Sequence, residues 1–376
     1  MNNINKKVLF CATVDYHIKA FHLPYLMWFK EKGWEVHVVA SGNGDLPFVD
    51  KHYKTQIMRS PYNKKNINAL REMKNLIEEN KYSIIHCHTP MGSVLARLAA
   101  RRSRSNGTKV IYTAHGFHFY KGASIFNWMM FYPIEKFLSR FTDHLITINT
   151  EDYNLAQKKR FNVKKINKIN GVGIDLEKYK PVDVTTKNII RKKNDLNESD
   201  FILFFAGEFS YRKNQKLLIE AVNIISKNIP RMKLLLAGEG GNKEHCIKIT
   251  ENLRLGAIVE FLGFREDINE LIQASDIVVS SSRQEGLPVN ILEGMACGKP
   301  CVVTDVRGNN DLVLNEGNGF LFSLDSPEAM AKHILNLYEN RELASKLGLK
   351  SLEMVQPYSI QNVISHMEDI YLPYMK

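Results

Sequence analysis

The sequence predicts an α/β protein built on parallel sheets and large enough for two domains. Three observations predict it. Short apolar runs with little polar alternation recur along the chain, as strands covered on both faces require. Amphipathic stretches of helical length separate them, and that β-α alternation marks a parallel sheet. The 376 residues are 44% hydrophobic and 24% charged, enough for two full cores in an ordinary globular composition.

The first half opens with a strand over residues 7–14, a loop over 15–19, and a helix over 21–32 that Gly33 ends. Strands at 35–40, 83–87, 109–113, 143–148 and 164–169 alternate with helices at 66–79, 91–103 and 150–160. The stretch from Phe126 to Phe141 is rich in large apolar groups beside Lys136 and Arg140. It reads as core by default, or as an interfacial helix that touches lipid. Gly171 and Gly173 permit a hinge in the segment running to Pro181, and polar residues 183–200 lead into the second half. Strands follow at 201–206, 232–237, 258–262, 275–280 and 300–304, with helices at 243–254, 327–348 and 359–372.

The most informative stretch is 282–300. A buried strand ends near Ser280, Gly286 allows a tight turn, and Pro288 suits a first helical position. Val289, Leu292, Met295 and Ala296 then recur at helical spacing. A strand, a glycine turn and a helix N-terminus make an anion site, because the first-turn amides are unpaired and the dipole is positive there. Glu285 and Glu293 frame it. Both would repel a diphosphate, so their natural partners are neutral hydroxyls, which carboxylates accept from strongly. Phosphate on the helix end and hydroxyls on two glutamates describe a sugar nucleotide. Acidic residues favouring their own helix N-terminus are the plainer reading, and spacing alone does not choose.

Composition narrows the classes. Five scattered cysteines form no C-x2-C pair and predict reduced thiols in a cytoplasmic protein. No apolar run reaches the roughly 18 residues of a membrane span. Residues 1–180 carry 29 Lys and Arg against 14 Asp and Glu, out of 51 and 40 in the whole chain, so the first half is basic. An anionic partner is implied: a phospholipid surface, a lipid diphosphate or, on charge alone, nucleic acid. Nucleic acid would need a recognisable module with stacking aromatics among the cations, and none is present. His86 and His88 flank Cys87 at a strand end, with no third ligand at useful spacing, and predict a structural role.

Glu285 and Glu293 with seven residues between, flanked by Gly-Leu-Pro and Met-Ala-Cys-Gly-Lys-Pro, resemble the E-x7-E element of retaining glycosyltransferases of family 4. The similarity covers essentially the whole chain. Residues Gly207 to Lys213 are similar to the family's G-R-x4-K element, with Glu208 where arginine is usual and Arg212 nearby. Thr113-Ala114-His115-Gly116 resembles the histidine-glycine step that approaches the transferring sugar. The Gly-Gly pair common in the first strand-to-helix loop is absent; His17 is either its substitute or a plain surface residue, and His17 and His118 are the candidates for an acceptor or phosphate loop.

The resemblance implies a GT-B fold, two Rossmann-like domains with parallel sheets facing across a cleft. The expected domains are residues 1–180, joined by the terminal helix 359–376, and residues 181–358, which hold the donor. It places Gly207, Arg212, Lys213, Phe264, Arg265, Glu285, Gly286, Leu287, Pro288, Val289 and Glu293 on the donor, with His115, Glu285 and Lys213 in catalysis. The expected reaction moves a hexose or N-acetylhexosamine from a UDP-sugar, with retention, to a saccharide on undecaprenyl diphosphate, as in capsular and exopolysaccharide synthesis. The enzyme would sit peripherally on the cytoplasmic face of the membrane. The chain contains no Asp-x-Asp pair, so neither a metal nor another cofactor is expected, and fixed cations and amides would stabilise the leaving diphosphate. A sugar-nucleotide hydrolase or epimerase on the same architecture is the alternative, and it would work without an acceptor.

Overall fold

A computed structural model describes residues 5–375, and these divide into two compact units. The first runs to Val172 and takes in the chain again from Gln361; the second is Gly173–Ile360.

The first unit is a seven-stranded sheet: β1 Lys7–Val14, β2 Glu35–Ser41, β3 Lys51–Lys54, β4 Ile84–Cys87, β5 Lys109–Ala114, β6 His144–Thr147 and β7 Lys165–Lys168. Its order is β3-β2-β1-β4-β5-β6-β7, and every pairing is parallel. The second unit has six strands: β8 Phe201–Ala206, β9 Met232–Ala237, β10 Val259–Gly263, β11 Ile277–Ser280, β12 Cys301–Thr304 and β13 Gly319–Phe322. They run β10-β9-β8-β11-β12-β13, again all parallel. The central strands are buried along their length, so continuous apolar runs such as Phe-Ile-Leu-Phe-Phe are what both-sided burial selects. All five cysteines are free and buried.

Several elements differ from the sequence expectation. Asp15–Phe21 is a helix, not a loop, and the next helix, Leu23–Glu31, is separated from it at His22. The helix expected over 91–103 breaks into Pro90–Ala99 and Arg101–Ser105. That over 327–348 breaks at Asn340, whose side chain accepts from the Leu343 amide at 2.9 Å and starts a new helix, Arg341–Val355. Pro288 caps Val289–Ala296 in an extended conformation and does not open the helix itself. The polar entry contains a helix, Val184–Lys193, tied down where Lys187 and Arg191 both bind Asp276, at 2.7 and 2.9 Å. Strands β3 and β13 were not expected; each is a four-residue edge strand.

The terminal helix Ile360–Tyr371 belongs partly to the first unit. Tyr371 is fully buried there, stacked on Trp28, with its hydroxyl 2.6 Å from His86 Nδ1. The other His86 nitrogen meets Thr113 Oγ1 at 2.8 Å, so His86 is a satisfied core histidine, as its strand-end position implied.

The helix Ile125–Leu138 is not core. Trp128, Phe131 and Tyr132 pack inward, while Ile125, Phe126, Met129, Ile134 and Phe137 are exposed. What pins it is Arg97, fully buried in the neighbouring helix, whose guanidinium holds Glu135 through two bonds of 2.8 and 3.2 Å and lies over the Tyr112 ring. Removing one partner of such a pair strands a buried charge, whereas replacing both with apolar groups does not. Arg97→Ala should therefore lower stability by about 3–5 kcal/mol in urea unfolding, and the pair Arg97→Met with Glu135→Leu should recover most of that loss. Equal losses in the single and double variants would show that the helix is held by something else.

Candidate functional site

In the second unit the chain leaves β8 toward β9 on one side and returns to β11 on the other. Ligands of open α/β sheets bind beyond the carboxyl ends of the strands at such a reversal. The loops leaving β8 and β11 are joined there. The Ser281 hydroxyl donates within 3.1 Å of both the Lys213 and Asn214 carbonyls, and the Arg283 amide donates to the Arg212 carbonyl at 2.8 Å. Asn290 ties the following helix to the end of β8 through a 3.0 Å bond to the Ala206 carbonyl.

At the centre lies Glu285, 5% exposed. Lys213 Nζ is 2.6 Å from one carboxylate oxygen, and Arg212 Nη1 is 3.1 Å from the other. Burial alone would raise the Glu285 pKa, but the two cations overcome it and hold the group below the usual carboxylate range. The carboxylate is thus ionised at neutral pH, and Lys213 is oriented by it. A lysine ammonium has three donors, so Lys213 can keep Glu285 and still donate to a phosphate. Arg212 stands beside it, although Glu208, where an arginine was expected, is exposed and acidic.

Close backbone packing shapes the walls. Gly308 has φ +83°, and a Cβ there would lie 2.6 Å from the Gly286 carbonyl oxygen. Gly238, at φ +141°, would meet the Gly207 carbonyl at 2.1 Å. Both positions therefore require glycine. Arg307 donates to the Glu285 carbonyl at 2.9 Å, which fixes the turn through Gly286 and Leu287. The helix at Val289 carries no side-chain cap, consistent with an anion site at its N-terminus.

Glu293 lies in that helix and pairs with Tyr179. Burial raises its pKa to about 7, against the lowering effect of the tyrosine hydrogen bond and of Lys178. The two glutamates of the motif are therefore unlike: Glu285 is held ionised and Glu293 is poised near neutrality. Phe264 is 70% exposed at the end of β10 and open to stacking. Arg265 is committed to Asp267, at 2.7 and 2.6 Å, and to Asn194 at 2.8 Å.

The first unit has its own reversal, between β1 and β4. His17 follows β1, His88 follows β4 and His115 follows β5, and they meet His22 from the junction of the first two helices. His22 stacks on His88 with ring centroids 3.8 Å apart, and His17 meets His115 edge-on at 4.8 Å. Burial lowers the His17 pKa to about 4 and puts His22, His88 and His115 well below the usual histidine value, so all four are neutral at pH 7. Beside them opens a cavity of about 930 Å³, walled by Leu70, Met91, Phe117, Phe119, Phe131 and Ile134. Its size is that of a small-ligand pocket. His118 lines it too, against the Phe131 ring. His17, His115 and His118 thus all line the cavity. Sequence spacing missed His22 and the grouping as a whole, because the four residues come from three separate β-α units; only the switch-point rule could have pointed there.

The Glu293 shift carries a pH consequence. A carboxyl whose folded pKa lies above its unfolded value of about 4.3 favours the folded state in acid, and that advantage is lost as pH rises to about 7. Glu293→Gln should remove this slope and stabilise the unliganded protein at pH 8 by up to about 3 kcal/mol, with little change at pH 4. The side chain is half-buried, so this is an upper value. Melting curves of both proteins across that range check it; parallel curves would mean that Glu293 titrates normally.

Comparison with known proteins places this architecture. Residues 7–149 match the model for Glycosyl transferase 4-like domains, and residues 186–353 match that for Glycosyl transferases group 1. The chain is 47% identical over 372 residues to the "Putative glycosyltransferase EpsD" of Bacillus subtilis strain 168, covering 99% of this chain and 98% of that one. It is 28% identical to the Escherichia coli UDP-Gal:alpha-D-GlcNAc-diphosphoundecaprenol alpha-1,3-galactosyltransferase, over 82% of this chain and 81% of that one. Among solved structures, Anabaena HepE in complex with UDP and glucose superposes with a TM-score of 0.82 at 19% identity, over 98% of this chain and 99% of that one. Sucrose-phosphate synthase from Thermosynechococcus elongatus gives 0.79 at 19% identity, over 98% of each chain. The chain therefore belongs to the glycosyltransferase family that these two models describe, with a GT-B fold of two parallel-sheet units.

Proposed function

We propose that this glycosyltransferase moves a sugar, a hexose or an N-acetylhexosamine, from a UDP-sugar to a saccharide carried on a lipid diphosphate, with retention of configuration. Undecaprenyl diphosphate is the proposed carrier, and a surface polysaccharide such as an exopolysaccharide or capsule the product class. The observation that carries the donor half is the Lys213–Arg212–Glu285 group beside an uncapped helix N-terminus. Negative charge grows on the leaving diphosphate as the glycosidic bond breaks. Lys213, Arg212 and the amides near Val289 are aimed where it develops, and their geometry is already fixed. They take the role that a metal on an Asp-x-Asp pair fills elsewhere, so transfer needs no metal at the diphosphate. Glu293 accepts from the ribose hydroxyls, Glu285 orients the sugar ring as well as Lys213, and Phe264 stacks on the base. His115, neutral, hydrogen-bonds the transferring sugar.

Support for the acceptor half comes from the first unit. One helix, Ile125–Leu138, walls the apolar cavity with Met130, Phe131 and Ile134 and exposes Ile125, Phe126, Met129 and Phe137 to solvent. An exposed apolar patch of this kind marks an interaction site. No helix among the described residues is long and apolar enough to cross a membrane, so this patch fits a bilayer surface, with the cations around it drawn to anionic lipid. The E. coli relative acts, by its name, on a diphosphoundecaprenol, and the same acceptor class suits a cavity with apolar walls and polar histidines at one side.

Lys213→Ala and Glu293→Ala should each weaken UDP-sugar binding by roughly 1.5–3 kcal/mol in titration calorimetry. A panel of UDP-sugars should show turnover only once a lipid-linked acceptor is added; steady release of free sugar without one would make the protein a hydrolase. Phosphatidylglycerol vesicles should float the wild type in a salt-sensitive way, at about 1 kcal/mol for each cation near the surface. A Phe126→Ser, Met129→Ser variant should lose most of that binding while remaining folded. Equal flotation of the two proteins would move the membrane face elsewhere.

A further inference from the structure

The grouped histidines His17, His22, His88 and His115, of which only His115 has a part in the proposed transfer, have a further property. Each ring offers one nitrogen, and the four nitrogens lie within 4.8 Å of one another. His17 Nε2, His88 Nε2 and both His22 nitrogens are buried with no hydrogen-bond partner. An unpaired buried polar atom is costly, and four in one place is far above what a folded core tolerates without a reason. His86, two positions before His88, shows the contrast: both its nitrogens are bonded.

We propose that His17, His22, His88 and His115 form a binding site for a single divalent cation of the zinc type. Neutral imidazoles are the ligand form, and zinc takes four nitrogens in a tetrahedron at about 2.0–2.1 Å. Such a tetrahedron has edges of about 3.3–3.4 Å. His88 Nδ1 and His115 Nε2, now in hydrogen-bond contact, are 3.3 Å apart, already the length of such an edge. The donor set also selects. All four ligands are imidazoles, which suit zinc, cobalt, nickel and copper, whereas magnesium, calcium and manganese prefer the carboxylate and carbonyl oxygens that this group does not contain. None of these four residues belongs to the unit that holds Lys213 and Arg212.

The cation would clip together β1, β4 and β5 at their carboxyl ends and the junction of the first two helices. Four neutral ligands leave its double charge uncompensated beside the cavity, where it would attract an anionic group. Coordination through one ring nitrogen leaves the other N–H of His115 free to donate, with the ring held in place.

Cobalt is the probe, because tetrahedral Co2+ absorbs visible light strongly and octahedral Co2+ weakly. Purified protein stripped with a chelator and titrated with Co2+ should show the tetrahedral spectrum, saturate at one equivalent, and lose the colour when Zn2+ is added. Zn2+ should raise the melting temperature and Mg2+ should not. His22→Ala and His88→Ala, shown to be folded by circular dichroism, should each weaken binding by more than about tenfold. His52→Ala, outside the group, should bind as the wild type does. Should either histidine variant misfold, His22→Gln and His88→Gln take its place, with the same expected loss. A weak octahedral spectrum, more than one equivalent bound, or undiminished affinity in the His22 and His88 variants would overturn the proposal and leave a cluster of packed neutral histidines.

Discussion

Glu285 is the charge on which the second unit's site depends. A carboxylate 5% exposed at the end of a central strand is tolerable only where opposite charge lies against it. Lys213 and Arg212 meet that requirement, and both come from the loop after β8. The loops of two neighbouring strands are thereby locked together, and the Ser281 and Arg283 bonds to the same backbone strengthen the lock. The arrangement also gives a lysine that is 9% exposed a carboxylate partner at 2.6 Å. The carboxylate that stabilises the cation in the core also fixes its orientation.

How much of this was legible beforehand depended on range along the chain. The strands with unbroken apolar runs, β1 and β8 above all, could be read directly, because burial on both faces removes polar residues from them. Edge strands β3 and β13 could not. Lys51–Lys54 is half-exposed and reads Lys-His-Tyr-Lys, a sequence that only its pairing with β2 makes a strand. Residues 15–19 read as a loop, and the breaks at Ala100 and Asn340 were missed because apolar periodicity continues through them; of these two, only Asn340 caps the next helix with its side chain. The domain boundary expected near residue 180 falls in a segment that the structure assigns to the second unit from Gly173 onward.

The site divides in the same way. The glutamate pair was visible as spacing, yet spacing made the two look equivalent. Packing separates them: Glu285 precedes the helix and meets cations, whereas Glu293 is inside it, against a tyrosine, with burial unopposed by any strong partner. The histidines show the opposite limit. Residues 17, 22, 88 and 115 have no spacing that suggests a group, and only the reversal of strand order between β1 and β4 brings them together.

The two reversals thus concentrate opposite chemistries. The second unit gathers ionised groups, suited to a diphosphate and to sugar hydroxyls. The first gathers neutral imidazoles and an apolar cavity, although it is the more basic part of the chain. Near the helix Ile125–Leu138, Arg97 pairs with Glu135, Arg140 lies over Phe137, Arg101 over Phe141 and Lys159 over Trp128, while Arg59 and Lys64 line the cavity itself. Cations set on aromatic faces around an exposed apolar helix keep their charge while their stems cover hydrocarbon. That combination offers water no good solvent for the apolar groups and an anionic surface a good partner for the cations. The bilayer surface proposed as the partner would meet both requirements at once.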